Sequence, residues 1–291
     1  MRTPVAPVSI ERHDGPMLSA AEDILVTEEP LEIRLGHGPL AARREFRLSV
    51  TMRTPGHDEE LALGFLITEG IVADVADVVR IVPCRNVKEE ERGNVVRAEL
   101  HPDVELDPAR WQRNFYTTSS CGVCGKSSID AVHAQCARPL GARPLLAPES
   151  ITALPERMRA AQTVFQHTGG IHAAALFNER GELLLLREDV GRHNAVDKVV
   201  GAWLSLQAKS RSGNQEPATF PGSARNDRLL LLVSGRAGFE LVQKCVVAGI
   251  PAMAAVGAPS SLAVQLARDS GLLLIGFLRG ERFNVYSGQL A

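Results

Sequence analysis

The sequence predicts an α/β protein: a three-layer α/β/α sandwich over residues 151–291, preceded by a smaller β-rich α+β part over residues 28–108. Two observations carry this. In the second half, short strands that are apolar throughout, such as "LLLLV" and "LLLIGFL", are separated by amphipathic helical stretches, the pattern of a sheet covered on both faces. In the first half, apolar and polar residues alternate one by one, as in half-buried strands.

Taken in order, residues 1–27 mix Pro, Ser and charge without periodicity and read as a loose tail. In "REFRLSVTMRTP", Phe46, Leu48, Val50 and Met52 alternate with Arg47, Ser49, Thr51 and Arg53, a half-buried strand. "HDEELALGFLITEG" then supplies Asp58 as a cap, acids in the first turn, apolar positions at helical spacing and Gly70 as a stop. Strands near Val78–Val82 and Val95–Leu100 flank the charged turn "EEERGN". After a connecting stretch at 109–150, a helix over Thr152–Gln166 ends at Gly169-Gly170. It leads into strand "HAAALF", turn "NERGE", strand "LLLLRED" and helix "RHNAVDKVVGAWLSLQ". A polar, Gly/Pro/Ser-rich insertion at about 208–227 reads as a flexible surface loop. Beyond it strands and helices alternate again, and the expected sheet is mostly parallel.

With 291 residues, 32 basic against 34 acidic, the chain has no overall field for nucleic acid, and any anion site must be local. Its apolar runs are too short to span a bilayer. Five cysteines and no apolar leader point to a reducing cytoplasm rather than a disulfide framework.

Two of those cysteines lie in "TSSCGVCGKSSID". Cys121, Cys124, His133 and Cys136 have formal zinc-ligand character, C-x2-C-x8-H-x2-C, although the spacing is tighter than in the usual finger. In the helix expected at "SSIDAVHAQCA", Cys136 shares an apolar face with Ile129 and Val132. No permanent metal is expected. The alternative is a nucleophile. No carboxylate stands between Asp107 and Asp130, while Arg110, Arg113 and Lys126 do, so the local charge favours thiolate. Gly122 and Gly125 let the loop bend; Cys121 is its outer thiol, and Cys124 is placed to resolve a sulfur adduct as a disulfide. Cys84 and Cys245 read as packing residues.

Two turns suggest an anion site. "LLLLVSGRAGFELV" passes from a buried strand through Ser234, Gly235 and Arg236 into a helix, a geometry that offers backbone N–H groups and a guanidinium to phosphate. "GFLRGERFNVYSG" sets Arg279 and Arg282 around Gly280, with Phe277 or Phe283 available to stack on a base. Both turns belong at the carboxyl ends of strands, where open α/β sheets bind ligands. "REDVGRHNAVDKVVG" crowds charge at a strand-to-helix junction: Arg192 can pair with Glu188 and Asp189, Asp197 and Lys198 read as helix-surface residues, and Asp189, His193 and Asn194 are candidates to line the same cleft. "GGIHAAALF" is similar to the His-x-Glu of zinc deaminases, but Ala174 stands where the glutamate belongs and the cysteine pair precedes His172, which counts against a zinc-dependent hydrolase.

Together "TMRTPGHDEELALGFLITEGI", "SSCGVCGK", "GGIHAAALF", "REDVGRHNAVDKVVG", "VSGRAGFELVQK" and "GFLRGERFNVYSG" resemble, in consistent order, the formate dehydrogenase accessory sulfurtransferases of the FdhD family. The resemblance implies a cytidine-deaminase-like fold, a homodimer, and a sulfur carrier that takes persulfide sulfur from a cysteine desulfurase. The sulfur would pass to the molybdenum of bis-molybdopterin guanine dinucleotide, bound as substrate, before that cofactor enters apo formate dehydrogenase. By the same resemblance Cys121 is the persulfide cysteine on a mobile loop, Cys124 its partner, and Phe277, Leu278, Arg279, Gly280, Glu281 and Arg282 contact the guanine nucleotide. A chaperone that only binds the cofactor is the competing reading. The tail before residue 28 and the 208–227 insertion carry no family motif.

Overall fold

The structure, a computed structural model, describes residues 3–106, 140, 142–144, 146–212 and 228–290. Residues 1–27, expected as a loose tail, instead contain a hairpin: β1 (Val5–Asp14) pairs antiparallel with β2 (Met17–Val26) across Gly15-Pro16, with Gly15 at φ +59°. Gly at the first position of a two-residue loop suits the twist of paired strands. Neither strand has a buried face, so there was no apolar alternation to read.

A four-stranded sheet follows, in the order β4-β3-β6-β5, built from β3 (Glu29–His37), β4 (Arg44–Arg53), β5 (Val78–Pro83) and β6 (Val95–Leu100). Its inner face (Leu31, Ile33, Leu35, Leu48, Val96, Ala98) packs on α1 (Asp58–Thr68) through Leu61, Ala62 and Leu66. The cap of α1 is His57, at φ 58°, rather than Asp58, whose carboxylate instead accepts two hydrogen bonds from Arg53 at 2.9 Å.

The expected single helix over 152–166 is three short ones, α2 (Pro148–Thr152), α3 (Leu154–Ala161) and α4 (Thr163–Thr168). Pro155 restarts the chain at the head of α3, and Gln162, at ψ 91°, interrupts it again.

The six-stranded sheet comprises β7 (His172–Phe177), β8 (Leu183–Asp189), β9 (Leu230–Val233), β10 (Ala252–Ala255), β11 (Leu273–Arg279) and β12 (Arg282–Ser287), in the order β12-β11-β10-β9-β7-β8. It is mixed rather than mostly parallel. β9, β10 and β11 run parallel, while β7, β8 and β12 join through antiparallel pairings. Short connections between β7 and β8 and between β11 and β12 impose this, since a parallel neighbour needs a long crossover. β12 lies where the sequence suggested only a basic turn.

Side chains alternate across this sheet, as the strand period of two requires. Leu176, Leu231, Val233, Met253 and Leu274 face α5 (Arg192–Ser212), α6 (Phe239–Val247) and α7 (Ser261–Asp269). Phe177, Leu230, Leu232, Ala254 and Ile275 face Ile151, Leu154 and Met158 of α2 and α3. The three layers are thus present. α5 continues to Ser212, past the expected start of the insertion; residues 213–227 lie outside the described residues.

The two sheets meet through α1 and α5, which cross at glycines. A Cβ on Gly64 would fall 1.8 Å from the Asp197 carbonyl oxygen, and one on Gly201 would fall 1.9 Å from that of Glu60. Only glycine permits this approach of the two backbones.

Candidate functional site

Topology gathers the candidate residues at one edge. The parallel strands β9, β10 and β11 end there, and antiparallel β7 begins there, so His172, Ser234-Gly235, Gly257 and Phe277 succeed one another along it. Ser234 closes the β7–β9 joint: its N–H donates to the Ala173 carbonyl at 3.0 Å and its hydroxyl accepts from Ala173 N–H at 2.9 Å. Gly257 N–H donates to Gly235 O at 2.9 Å, and Phe277 N–H to Gly257 O at 3.0 Å. A Cβ at Gly257 would sit 2.9 Å from Arg236 Cγ, so these turns are in contact.

Gly257 was not singled out in the sequence, though "VGAPS" after β10 repeats the small, glycine-containing turn "VSGRAG" after β9. Glu240, in the first turn of α6, was also missed; its carboxylate lies 4.0 Å from His193 Nε2.

The junction "REDVGRHNAVDK" is resolved differently from its sequence reading. Asp189 is fully buried and pairs with Lys198 at 2.7 Å, while accepting from Thr54 N–H, Gly191 N–H and Asn194 Nδ2. Asn194 also donates to Met52 O at 2.7 Å. Asp189 and Asn194 therefore tie β4 to the start of α5 rather than line a cleft. Asp197 and Lys198, expected on the helix surface, are each 1% exposed. Lys244 Nζ reaches Asp197, Glu69 at 2.8 Å and Thr68 at 2.9 Å, joining α6 to α1. Arg192 pairs with neither expected carboxylate: Asp189 is taken by Lys198, and Glu188 accepts from the backbone of Val164 and Phe165. His172 and His193 stay at the edge. Burial lowers both: His172 is also disfavoured as a cation by Arg192, and His193, beside Lys244 and Arg192, falls to about 4.

Further along, Arg279, Gly280, Glu281 and Arg282 line an open concavity of about 610 Å³ at the β11–β12 turn. Gly280 makes that turn at φ 58°, and Leu278 is buried beneath it. Phe277 is half-buried at φ 53°, with the Arg279 guanidinium carbon 5.5 Å from its ring centre. Exposed Arg236 stands on the neighbouring turn.

Cys121 and Cys124, and with them the expected cysteine loop and the zinc-like set with His133 and Cys136, lie outside the described residues. Cys245 is fully buried, and its thiol is pushed far up by burial. Among the described residues no cluster of three His, Cys, Asp or Glu is arranged to hold a metal, and no helix is long and apolar enough to cross a membrane.

Comparison with known proteins adds a family. Residues 26–290 match the model of the FdhD/NarQ family. The chain is 51% identical over 284 residues to the sulfur carrier protein FdhD of Streptomyces avermitilis, covering 96% of this chain and 92% of that protein. It is 47% identical over 272 residues to the protein of the same name from Mycobacterium tuberculosis, covering 91% and 90%. A crystal structure described as that of a formate dehydrogenase accessory protein from Desulfotalea psychrophila shares the fold, with a TM-score of 0.70 at 22% identity over 98% of this chain and 97% of that one.

Proposed function

The chain belongs to the FdhD/NarQ family, and from that membership we propose that it is a sulfur carrier in the maturation of formate dehydrogenase. Cys121 thiolate attacks the terminal sulfur of a cysteine desulfurase persulfide; the S–S bond of the donor breaks, the donor cysteine leaves as thiolate, and Cys121 becomes the persulfide. Cys121 then delivers that sulfur to the molybdenum of bis-molybdopterin guanine dinucleotide, held as substrate at the carboxyl edge of the sheet: the persulfide S–S bond breaks, Cys121 leaves as thiolate, and the two electrons that turn the sulfane sulfur into a metal-bound sulfide come from the molybdenum, which is oxidised from Mo(IV) to Mo(VI). Cys124 resolves an undelivered adduct: its thiolate attacks Cys121 Sγ, the Cys121–Cys124 disulfide forms and hydrosulfide leaves. The carrier acts in the cytoplasm as a homodimer and hands the cofactor to apo formate dehydrogenase.

The structural observation that supports the cofactor half of this reading is the concavity over Arg279–Arg282. It offers two guanidinium groups for phosphate or the guanine edge, and beside it the Phe277 ring for stacking. The same concavity would serve a chaperone that binds the cofactor without moving sulfur, so the test must address Cys121. Intact-protein mass after incubation with a cysteine desulfurase and cysteine, without reductant, should rise by one sulfur atom in the native chain and in Cys124→Ala. In Cys121→Ala the gain should vanish. A native chain that gains no sulfur while still binding guanine nucleotide would leave the chaperone.

A further inference from the structure

We propose that the β1–β2 hairpin is an intermolecular arm: its face bearing Glu11, Leu18, Glu22 and Ile24 packs on the open face of the four-stranded sheet in a second copy of this chain, and reciprocally. The partner rests on the homodimer of the reading above; the choice of surfaces rests on the following geometry.

Within one chain little holds the hairpin. β1 and β2 pair along their full length, and no further strand of the described residues joins them. A two-stranded ribbon is marginal in water unless something packs on it. One side is served: β2 touches α4, and Val8, Ile10 and Ala21 are partly covered. Because side chains alternate, Pro7, Glu11 and His13 of β1 share the other face with Leu18, Glu22 and Ile24 of β2. That face is open, with Leu18 57% and Ile24 41% exposed.

The four-stranded sheet offers a surface to match. Its inner face is filled by α1, and the strand register puts Arg47, Val50 and Met52 of β4 and Arg80 and Val82 of β5 on the opposite face. Val50 is 60% and Met52 48% exposed. The carboxylates of that face, Glu32, Glu45 and Glu99, are engaged by Arg34, Arg43 and Arg97. Arg47, which shares Glu32 at 3.6 Å, and exposed Arg80 therefore carry its excess charge.

The two surfaces are complementary in charge and in character. The arm has Glu11, beside His13 at 3.2 Å, and Glu22 between the apolar Leu18 and Ile24; the sheet has two arginines and a row of apolar side chains. Opposite charges steer and fix the register, and the apolar residues cover one another. Strand rise and spacing give the arm a face of about 34 Å by 10 Å; used twice in a two-fold dimer, it buries about 1,300 Å², enough for a specific interface. The family match begins at residue 26, the last of the hairpin, so the arm stands outside the region that the family model describes.

The test is sedimentation equilibrium of the full chain with charge reversed on each surface: Glu11→Lys with Glu22→Lys on the arm, and Arg47→Glu with Arg80→Glu on the sheet. The native chain should be a dimer at micromolar concentration. Each double variant should dissociate about a hundredfold more readily, because like charges then meet in both contacts. Mixed in equal amounts, the two variants should regain a dimer, since every contact again pairs opposite charges; that recovery also shows that both are folded. Variants that melt like the native chain but dimerise at native strength, or that fail to recover when mixed, would overturn the interface. If only one of the two variants dissociates, the pairing of arm with sheet is likewise overturned. A monomeric native chain would also overturn it, while the sulfur gain at Cys121, measured on the same chain, decides the carrier reading separately.

Discussion

The Lys244 ammonium lies 2.9 Å from both carboxylate oxygens of Asp197, and both side chains are buried. Asp197 belongs to α5 and Lys244 to α6, and Glu69 and Thr68 at the end of α1 complete the shell. Burial alone would lower the Lys244 ammonium, but Asp197 and Glu69 outweigh it and hold it above its ordinary range, so it is charged at neutral pH. Lys244→Met removes the cation that two buried carboxylates share, and the expected loss is about 3–5 kcal/mol in urea unfolding. Lys244→Met combined with Asp197→Leu should recover part of it. A single variant as stable as the native chain would show that water enters the cluster freely.

Gly64 and Gly201 make a second prediction about the same joint. Each faces a carbonyl oxygen of the opposing helix, a backbone group that cannot rotate aside. Gly201→Ala forces α1 and α5 apart and should cost about 3 kcal/mol, although alanine is the better helix former. The reading fails if Gly201→Ala raises the urea midpoint, as it would on an open helix face.

His193 gives the fold an acid sensitivity. Burial holds it near 4 in the folded protein, against about 6.5 when unfolded. Between those values the unfolded chain binds the extra proton, so the contribution is complete above pH 6.5 and is lost as pH falls toward 4, up to roughly 3 kcal/mol. His193→Gln should flatten urea stability across that window, with His172, also lowered, leaving a residual slope. Glu60 acts in a lower window. Its hydrogen bonds from Arg187 and His57 outweigh burial and hold it near 2, so its share is present above about 4.5 and lost toward pH 2. An unchanged slope in His193→Gln between pH 6.5 and 4 would place the titration elsewhere.

How much of this was legible in the sequence follows from where each signal comes from. Strands β7, β9, β10 and β11 bury both faces and announce themselves as apolar runs, so the central layer could be read directly, whereas β12, mostly exposed, could not. The β1–β2 hairpin buries no face, and only Gly15 marked it. Asp197 and Lys198 looked like helix-surface residues because nothing local identifies their partners: Lys244 is 47 positions from Asp197, and Thr54, whose carbonyl takes Lys198 at 2.8 Å, is 144 positions from it. Arg192 Nε, buried with no hydrogen-bond partner, was hidden for the same reason, since Glu188 and Asp189 beside it in sequence are claimed from elsewhere in the fold.

Phe277 combines strain with the proposed stacking role. At φ 53° a bulky side chain is crowded by its own backbone, at a cost of about 1–2 kcal/mol that glycine does not bear. The usual order of glycine and alanine should therefore invert: Phe277→Gly should be more stable than Phe277→Ala by about 1 kcal/mol in urea, where glycine in an ordinary strand is the less stable of the two. Both variants remove the ring over which Arg279 sits, so both should bind GDP more weakly by a similar factor. The two readouts separate backbone from ring. Alanine more stable than glycine would mean that position 277 relaxes out of the left-handed region, and GDP bound at native strength by both would mean that the base stacks elsewhere than on Phe277.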